Sequence, residues 1–407
     1  MWTFSALDAQ RVSRDLAYAE LSAMPGIKQQ LGTRLHPSPH GIDWGNSGLA
    51  VDSLARMTLA TAAATWCNAY DSGHADLFLA RKTTADWAQA MLQARSQGAK
   101  QFTFSTSGST GERKHVRHQE ALLWQEAQGW AAQLGELPQA PKRVVVCCPV
   151  HHIYGFIWGV MLPLALGVPV VELAWDEPLA VQSGDVVIAV PTQWAWWAQT
   201  KLKWPPHVTG ISSTGPLSPT AAAAAGQAGL ARLWGIYGST ETGGLGWRSE
   251  LPPDEKHYQL APCKQRQADT IACEMPNGSL AKLDVQDQLN WVDSPSDKLS
   301  GKDRFEVVGR LDGVVQVAGH NVSPDAVARQ LRSHPAVKDA AVRLGNINGE
   351  PRLKAFVVLT EAAAQQTDAV NAVEQWMLAT LSAPQRPAHI TYGAALPQTE
   401  FGKATDW

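Results

Sequence analysis

Residues 101–117 read QFTFSTSGSTGERKHVR. Phe102-Thr103-Phe104 is a short β-like run. Ser105, Thr106, Ser107, Gly108, Ser109, Thr110 and Gly111 follow, with Lys114 just beyond. A stretch this rich in glycine and hydroxyls packs no core. It can present backbone N–H groups, hydroxyls and one cation to a polyphosphate, because glycine lets the backbone come close to a ligand. It is not a Walker A loop. Two residues separate Gly108 from Gly111, and His115 rather than Ser or Thr follows Lys114. The plain alternative is a surface loop.

Four further stretches lie downstream: Pro149 to Gly155, Tyr237 to Glu241, Gly309 to Pro324 and Pro397 to Lys403. Together with the first, and in the same order, they resemble the adenylate-forming enzymes. That superfamily holds acyl-CoA synthetases, peptide-synthetase adenylation domains and luciferases. Its phosphate loop reads T-S-G-[ST]-T-G-x-P-K-G; here Arg113 and His115 flank the lysine. The resemblance implies an α/β fold: a large N-terminal domain with mainly parallel sheets and a small β subdomain, plus a small mobile C-terminal α/β domain. The expected boundaries are 1–311 and 312–407. The first part divides into a helix-rich segment at 1–100, an α/β core at 101–249 and a β subdomain at 250–311. Residues 1–100 are short for the family by several elements.

Composition reads as soluble and globular. The chain has 407 residues, 45% hydrophobic and 17% charged, which suits two or three domains. A formal net charge of −3 gives no support for a nucleic-acid surface. Five cysteines without a C-x-x-C suit a reducing, cytoplasmic compartment and no disulfide framework. Asp8, Arg11, Arg14 and Asp15 interrupt any signal-peptide core. The apolar run from Phe156 to Val171 is too short for a membrane helix and carries Pro163 and Pro169, so membrane insertion is not expected.

Periodicity places the elements. Leu54 to Tyr70 reads as a buried helix, and Thr84 as the cap of a second helix with Trp87, Met91 and Ala94 on one stripe. Strand-like runs at Val144–Cys148, Val168–Leu173, Val186–Val190, Val208–Ser212 and Arg232–Tyr237 alternate with helix-like runs at Glu120–Leu134, Phe156–Leu166, Gln193–Lys201 and Pro219–Ala228. Such alternation predicts βαβ units and a mainly parallel sheet with ligands beyond the carboxyl ends of its strands. Beyond the Gly309–Gly313 hinge, Ser323 caps a helix that has Pro324 at its first position. Strands Val337–Leu344 and Leu353–Leu359 and a helix at 368–381 follow.

The resemblance also implies roles. Thr106, Ser107, Gly108, Ser109, Thr110, Gly111 and Lys114 hold the phosphates of ATP. In Tyr237-Gly238-Ser239-Thr240-Glu241, similar to Y-G-x-T-E, Tyr237 stacks on adenine beside Gly238, Thr240 contacts the α-phosphate and Glu241 holds Mg²⁺, a hard cation that favours carboxylate oxygen. Ser213 and Gly215 flank the adenine. Asp297, with Asp303 and Asp293 as alternatives, and Arg310 bind the ribose. His152, in a stretch similar to P-x-x-H-x-x-G, borders the acyl pocket. Asp312 is the hinge of G-R-x-D. Lys403, in a stretch similar to P-x-T-x-x-G-K, is the adenylation lysine. His115 and His118 read as residues leaving the phosphate loop. A metal site at His151-His152 lacks partners at recognisable spacing.

The implied activity is an ATP-dependent ligase joining a small carboxylic acid to a thiol through an acyl-adenylate, with ATP and Mg²⁺. The acceptor thiol is coenzyme A or the phosphopantetheine of an acyl carrier protein. No carrier domain follows Trp407, so the expected enzyme is stand-alone. Tyr154, Phe156, Trp158, Trp194, Trp196, Trp197 and Trp234 suggest a compact pocket for an aryl or short acyl acid. The alternatives are a medium- or long-chain fatty acyl ligase, or a degenerate nucleotide-binding protein without catalysis.

Overall fold

A computed structural model describes residues 2–24, 27, 31, 42–45, 48–106, 114–173, 179–200, 202–253, 255–268, 270–275, 278–292, 303–311, 313–347, 350–366 and 368–396. The chain divides into two compact units. One comprises Met1–Thr106, His115–Val285 and Asn290–Glu306, the other Ser107–Lys114, Gln286–Leu289 and Val307–Trp407.

In the first unit, β1 (Gln101–Thr106) and β2 (Lys114–Gln119) pair as a two-stranded sheet. The main sheet follows: β3 (Arg143–Val146), β4 (Val170–Glu172), β5 (Asp185–Ala189), β6 (Thr209–Ser212), β7 (Arg232–Ser239), β8 (Gly243–Ser249) and β9 (Tyr258–Leu260). Then β10 (Lys264–Gln267), β11 (Thr270–Glu274) and β12 (Leu280–Lys282) form a sheet of their own. The chain returns to the main sheet through β13 (Asp287–Val292) and β14 (Arg304–Arg310). The nine-stranded order is β13-β14-β9-β8-β7-β6-β5-β3-β4. Strands β4, β3, β5, β6 and β7 are parallel; β8, β9 and β14 continue antiparallel. The order reverses between β4 and β5 about β3, which makes the carboxyl ends of β3 and β5 a topological switch point, the usual place for a ligand in such sheets.

Strand alternation explains the two cores. Val144, Val146, Val186 and Ile188 face one cluster, while Val145, Cys147, Val187 and Ala189 face the other. Successive side chains point to opposite faces, so a β-branched run buried on both sides needs helices on both. β4 is only half-buried, because it is the outer strand.

The N-terminal segment packs tightly. Trp2, Phe4, Trp66, Phe102 and Phe156 interlock, with the Arg95 guanidinium 4.2 Å from the Phe102 ring centre. Trp87, Met91 and Ala94 are all buried, as their stripe predicts. The cap of that helix (Thr84–Ser96) is Thr83, not Thr84: its hydroxyl accepts from Asp86 N–H.

The expected helix at 156–166 starts earlier, at Ile153. It runs as Ile153–Phe156, a wide π turn at Ile157–Met161, and Leu162–Leu166. Pro163 lacks the N–H that would bond Gly159 O. Arg11 supplies the missing donor, its Nη1 lying 2.9 Å from Gly159 O. The helix Ala6–Ser22 that carries Arg11 is thereby fixed to the core. Its Arg14 makes two bonds of 3.0 Å to Glu172 at the end of β4, and Arg11 Nε lies 2.8 Å from the same carboxylate. Among the described residues no helix is long and apolar enough to cross a membrane.

In the second unit, β15 (Val315–Val317) and β16 (His320–Val322) form a hairpin. The helix Pro324–Arg332 follows, capped by Ser323 with Pro324 in its first turn, as expected. It packs on a sheet of β17 (Val337–Ile347), β18 (Glu350–Leu359) and β19 (His389–Tyr392). The helix Ala369–Thr380 adds Val373 and Met377 to the same core.

Candidate active site

Four connections leave carboxyl ends of parallel strands at one edge of the main sheet: 147–152 after β3, Val190-Pro191 after β5, 213–217 after β6, and the 239–243 turn after β7. His152, Ser213, Gly215, Tyr237, Gly238, Thr240 and Glu241 all lie on these connections or strand ends.

The turn after β7 is a hairpin. Ser239 pairs with Gly243, and Thr242 N–H bonds Ser239 O at 3.3 Å, so Thr240 and Glu241 occupy the tip. The Thr242 hydroxyl accepts from Ser239 N–H at 3.2 Å. Gly243 has φ +67°, a conformation that suits glycine at the end of a short hairpin loop. The register slips between Tyr237 and Gly238, a bulge that re-aims the strand just before the tip. Tyr237 packs its ring 5.2 Å from Tyr258 and 6.3 Å from Phe305. A Cβ on Gly238 would stand 2.1 Å from Gly243 O, so the backbones meet there.

Ser213 Oγ donates to Ile236 O at 2.8 Å, tying the turn after β6 to β7. Thr214 takes φ +77°, a sharp reversal that leaves Gly215 half-buried. His152 is exposed and its ring centre lies 3.9 Å from that of buried His151. The connection carrying both is anchored from the N-terminal helix, for Val150 N–H donates to Asp15 Oδ2 at 2.8 Å. Burial pushes the Asp15 carboxyl up, with Arg14 pulling the other way. Tyr154, one turn further, lies with its hydroxyl 3.0 Å from both Ala189 O and Ile211 O.

The other expected residues lie on other elements or outside the described residues. Thr106 ends β1; Lys114 opens β2 and is exposed; Arg310 ends β14. Lys114 and Arg310 belong to the second unit. Ser107, Gly108, Ser109, Thr110, Gly111, Asp297, Asp312 and Lys403 lie outside the described residues.

The bulky side chains suggested for the pocket mostly pack cores instead. Phe156 sits in the aromatic cluster, Trp158 against Trp130, and Trp194 and Trp197 against Trp204. Trp196 is 45% exposed and Trp234 pairs with Trp247. Successive residues of a helix diverge around its axis, so neighbouring tryptophans serve different surroundings. Of that set, Tyr154 is the one bonded at the strand ends of the site edge.

Behind the hairpin tip, Glu126 and Lys264 escaped the sequence reading, and His118, read as leaving the phosphate loop, has a contact that reading did not foresee. His118 lies within β2, the strand that leaves the phosphate-loop stretch, and its Nε2 donates to Thr240 O at 2.6 Å. A carbonyl only accepts, which fixes the tautomer with hydrogen on Nε2; burial lowers the pKa of the ring. Glu126, on the helix Glu120–Gly135, is 2% exposed; its Oε1 accepts from Gly244 N–H at 2.8 Å. Its Oε2 is 3.2 Å from Lys264 Nζ. Burial lowers the Lys264 pKa, but Glu126, Cys263 and Cys273 more than reverse this and hold the ammonium charged.

The donor set suits Mg²⁺ bound to a polyphosphate. That ion takes one or two carboxylates and completes its shell with phosphate oxygens and water. Glu241 offers one carboxylate at a half-buried tip, and among the described residues no group of three or more metal-binding side chains gathers.

Residues 65–286 match the model of the family described as AMP-binding enzyme. A 4-coumarate–CoA ligase from Cereibacter sphaeroides is 36% identical over 398 residues, covering 94% of this chain and 90% of its own. One from Halorhodospira halophila is 36% identical over 360 residues, covering 87% and 88%. Among solved structures, the amide bond synthetase of Marinactinospora thermotolerans has a TM-score of 0.54 at 16% identity, covering 98% of this chain and 92% of its own. An o-succinylbenzoate CoA synthetase from Bacillus subtilis has a TM-score of 0.52 at 18% identity, covering 74% and 67%. At those identities the two structures speak for the fold.

Proposed function

The chain belongs to the family of AMP-binding enzymes, as an AMP-forming acid–thiol ligase, and from that premise we propose that it activates an aryl acid of the 4-coumarate type and passes it to coenzyme A. The observation that carries the reading is the assembly of the Thr240–Glu241 tip, the Ser213–Gly215 turn and the His152 connection along one edge of the sheet. Near full-length likeness to relatives named 4-coumarate–CoA ligase supports the acid and the acceptor.

In the first step a carboxylate oxygen attacks the α-phosphorus of ATP. The bond to the β-phosphate oxygen breaks and pyrophosphate leaves. Two anions meet, so donors and cations must be oriented in advance. Thr240 would hold an α-phosphate oxygen, Tyr237 the adenine face and Ser213-Thr214-Gly215 its edge. Lys114, Thr106 and residues 107–111 would hold the outer phosphates. Asp297 and Arg310 would hold the ribose. Mg²⁺, held by Glu241, would neutralise phosphate charge. Lys403 would bridge the attacking carboxylate and the α-phosphate while the 312–407 domain is closed, and turn away about Asp312 for the second step. There a thiol sulfur attacks the acyl carbonyl and AMP leaves. His152 would border the acid.

Tyr154 supports a compact pocket. It is buried, and its one hydroxyl hydrogen is shared between Ala189 O and Ile211 O at the ends of β5 and β6, so a long chain passing there would have to displace a hydrogen-bonded phenol. The test is acid-dependent pyrophosphate release with benzoate-type and cinnamate-type acids beside octanoate and palmitate, followed by thioester formation with coenzyme A or a phosphopantetheinylated carrier protein. The expected result is fastest turnover with a cinnamate-type acid and coenzyme A. Faster turnover with palmitate than with any aryl acid would overturn the small pocket.

A further inference from the structure

We infer that Glu126, Lys264 and His118 are positioning residues that clamp both sides of the Thr240–Glu241 tip, and so set the aim of the carboxylate toward a magnesium–nucleotide. The inference rests on the reading of Glu241 given above.

The tip is held at its entry and its exit. On the entry side, His118 Nε2 donates to Thr240 O at 2.6 Å. That ring stands on β2, the strand that leaves the phosphate-loop stretch, and it packs edge-on to Phe104 at 5.9 Å. On the exit side, Glu126 Oε1 accepts from Gly244 N–H at 2.8 Å. The next anchor is Lys264 Nζ, 3.2 Å from Glu126 Oε2. Both partners of this ion pair are almost fully enclosed, with side chains 3% and 4% exposed. A buried pair of this kind is a poor source of stability, since leaving water offsets most of its attraction. Its value lies in direction: a charged acceptor makes a stronger, shorter bond to a backbone N–H than a neutral one.

The glycines fit the clamp. A Cβ on Gly243 would stand 2.5 Å from Glu126 Oε2, and one on Gly244 would stand 2.9 Å from Oε1. Two successive residues without side chains let the carboxylate reach the backbone. His118 and Glu126 therefore grip the tip through main-chain atoms of Thr240 and Gly244.

Two double variants separate aim from bulk folding. Glu126→Leu with Lys264→Met removes both charges and the acceptor for Gly244 N–H. Glu126→Gln with Lys264→Met removes both charges and keeps an acceptor. Binding of a non-hydrolysable ATP analogue is measured by calorimetry, with Mg²⁺ and with EDTA in its place, after circular dichroism and melting confirm folding. The expected result is about tenfold weaker binding for the leucine pair with Mg²⁺, the equivalent of one lost directing hydrogen bond. With EDTA it should match the native protein, and the glutamine pair should stay within about threefold of native in both conditions. Equal weakening with and without Mg²⁺, or none in a folded variant, overturns the clamp. If the leucine pair does not fold, His118→Ala against His118→Gln decides by the same two readings, since glutamine can restore the donor. A native protein that binds the magnesium–nucleotide analogue but exchanges pyrophosphate with no acid overturns the proposed function alone. One that binds no analogue overturns both.

Discussion

Lys403→Ala is expected to lower adenylation by about 10²–10³, the usual loss when one charge-stabilising group is removed. Thioester formation from a supplied acyl-adenylate should largely survive, and equal damage to both steps would contradict a lysine that serves only the first. Glu241→Gln should weaken ATP-dependent turnover and raise the Mg²⁺ needed for half-maximal rate without lowering the melting temperature; full activity at limiting Mg²⁺ would remove Glu241 from the metal. Tyr154→Leu is expected to lower activity with cinnamate-type acids and raise it with octanoate, because the phenol's two carbonyl partners mark the floor of the edge. Comparing kcat/KM for the two acids checks this. At this scale sequence shows what is local. Tyr237 to Glu241 and Ser213 to Gly215 are contiguous, so a resemblance can single them out. Glu126 and Lys264 are 138 residues apart, so no spacing advertises their bond. His118 could be read as leaving the loop, but its bond to Thr240, 122 residues away, could not.

Among the elements, the helix Ala6–Ser22 has a function beyond packing. Its Asp15 carboxylate holds Val150 N–H, and Val150 precedes the two histidines. Asp15→Ala leaves that buried N–H without its acceptor, which is expected to destabilise by about 1–3 kcal/mol. It should also raise KM for the acid more than KM for ATP; Asp15→Asn, which keeps an acceptor, should recover much of both. Melting curves and initial rates with each substrate varied in turn check the pair of claims. The parallel strands and their helices were legible because burial on two faces imposes continuous Val and Ile runs. The wide π turn at Ile157–Met161 was not, since the sequence offers only Pro163 as a warning. The donor that repairs it, Arg11, comes from 148 residues away. The tryptophans left two readings open, pocket or core, for a related reason: composition counts large rings but does not say which face of which helix each one takes. Thr83 and Thr84 stand side by side, and only the backbone shows that the first is the cap.

At the scale of the whole molecule, the proposed hinge at Asp312 is open to a direct test. Asp312→Pro, which narrows φ at the proposed hinge, is expected to spare one half-reaction and suppress the other. Pyrophosphate exchange and thioester formation from supplied acyl-adenylate, measured side by side, test this; equal loss of both, or no loss of either, would argue against rotation about that residue. The change of sheet direction between β7 and β8 has a separate consequence, for the order in which the chain folds. Strands β3, β5, β6 and β7 meet only after whole crossovers have closed, whereas β7 and β8 are joined by the short 239–243 turn. Closing a short loop sacrifices little chain entropy, and hairpins form in about 1–10 μs, long before non-local parallel pairing. In a pulse-labelling refolding experiment, amides of the β7–β8 pair should therefore resist hydrogen exchange earlier than those of Val144–Val146 and Val186–Ile188. The nucleotide turn would then be a seed on which the parallel sheet grows.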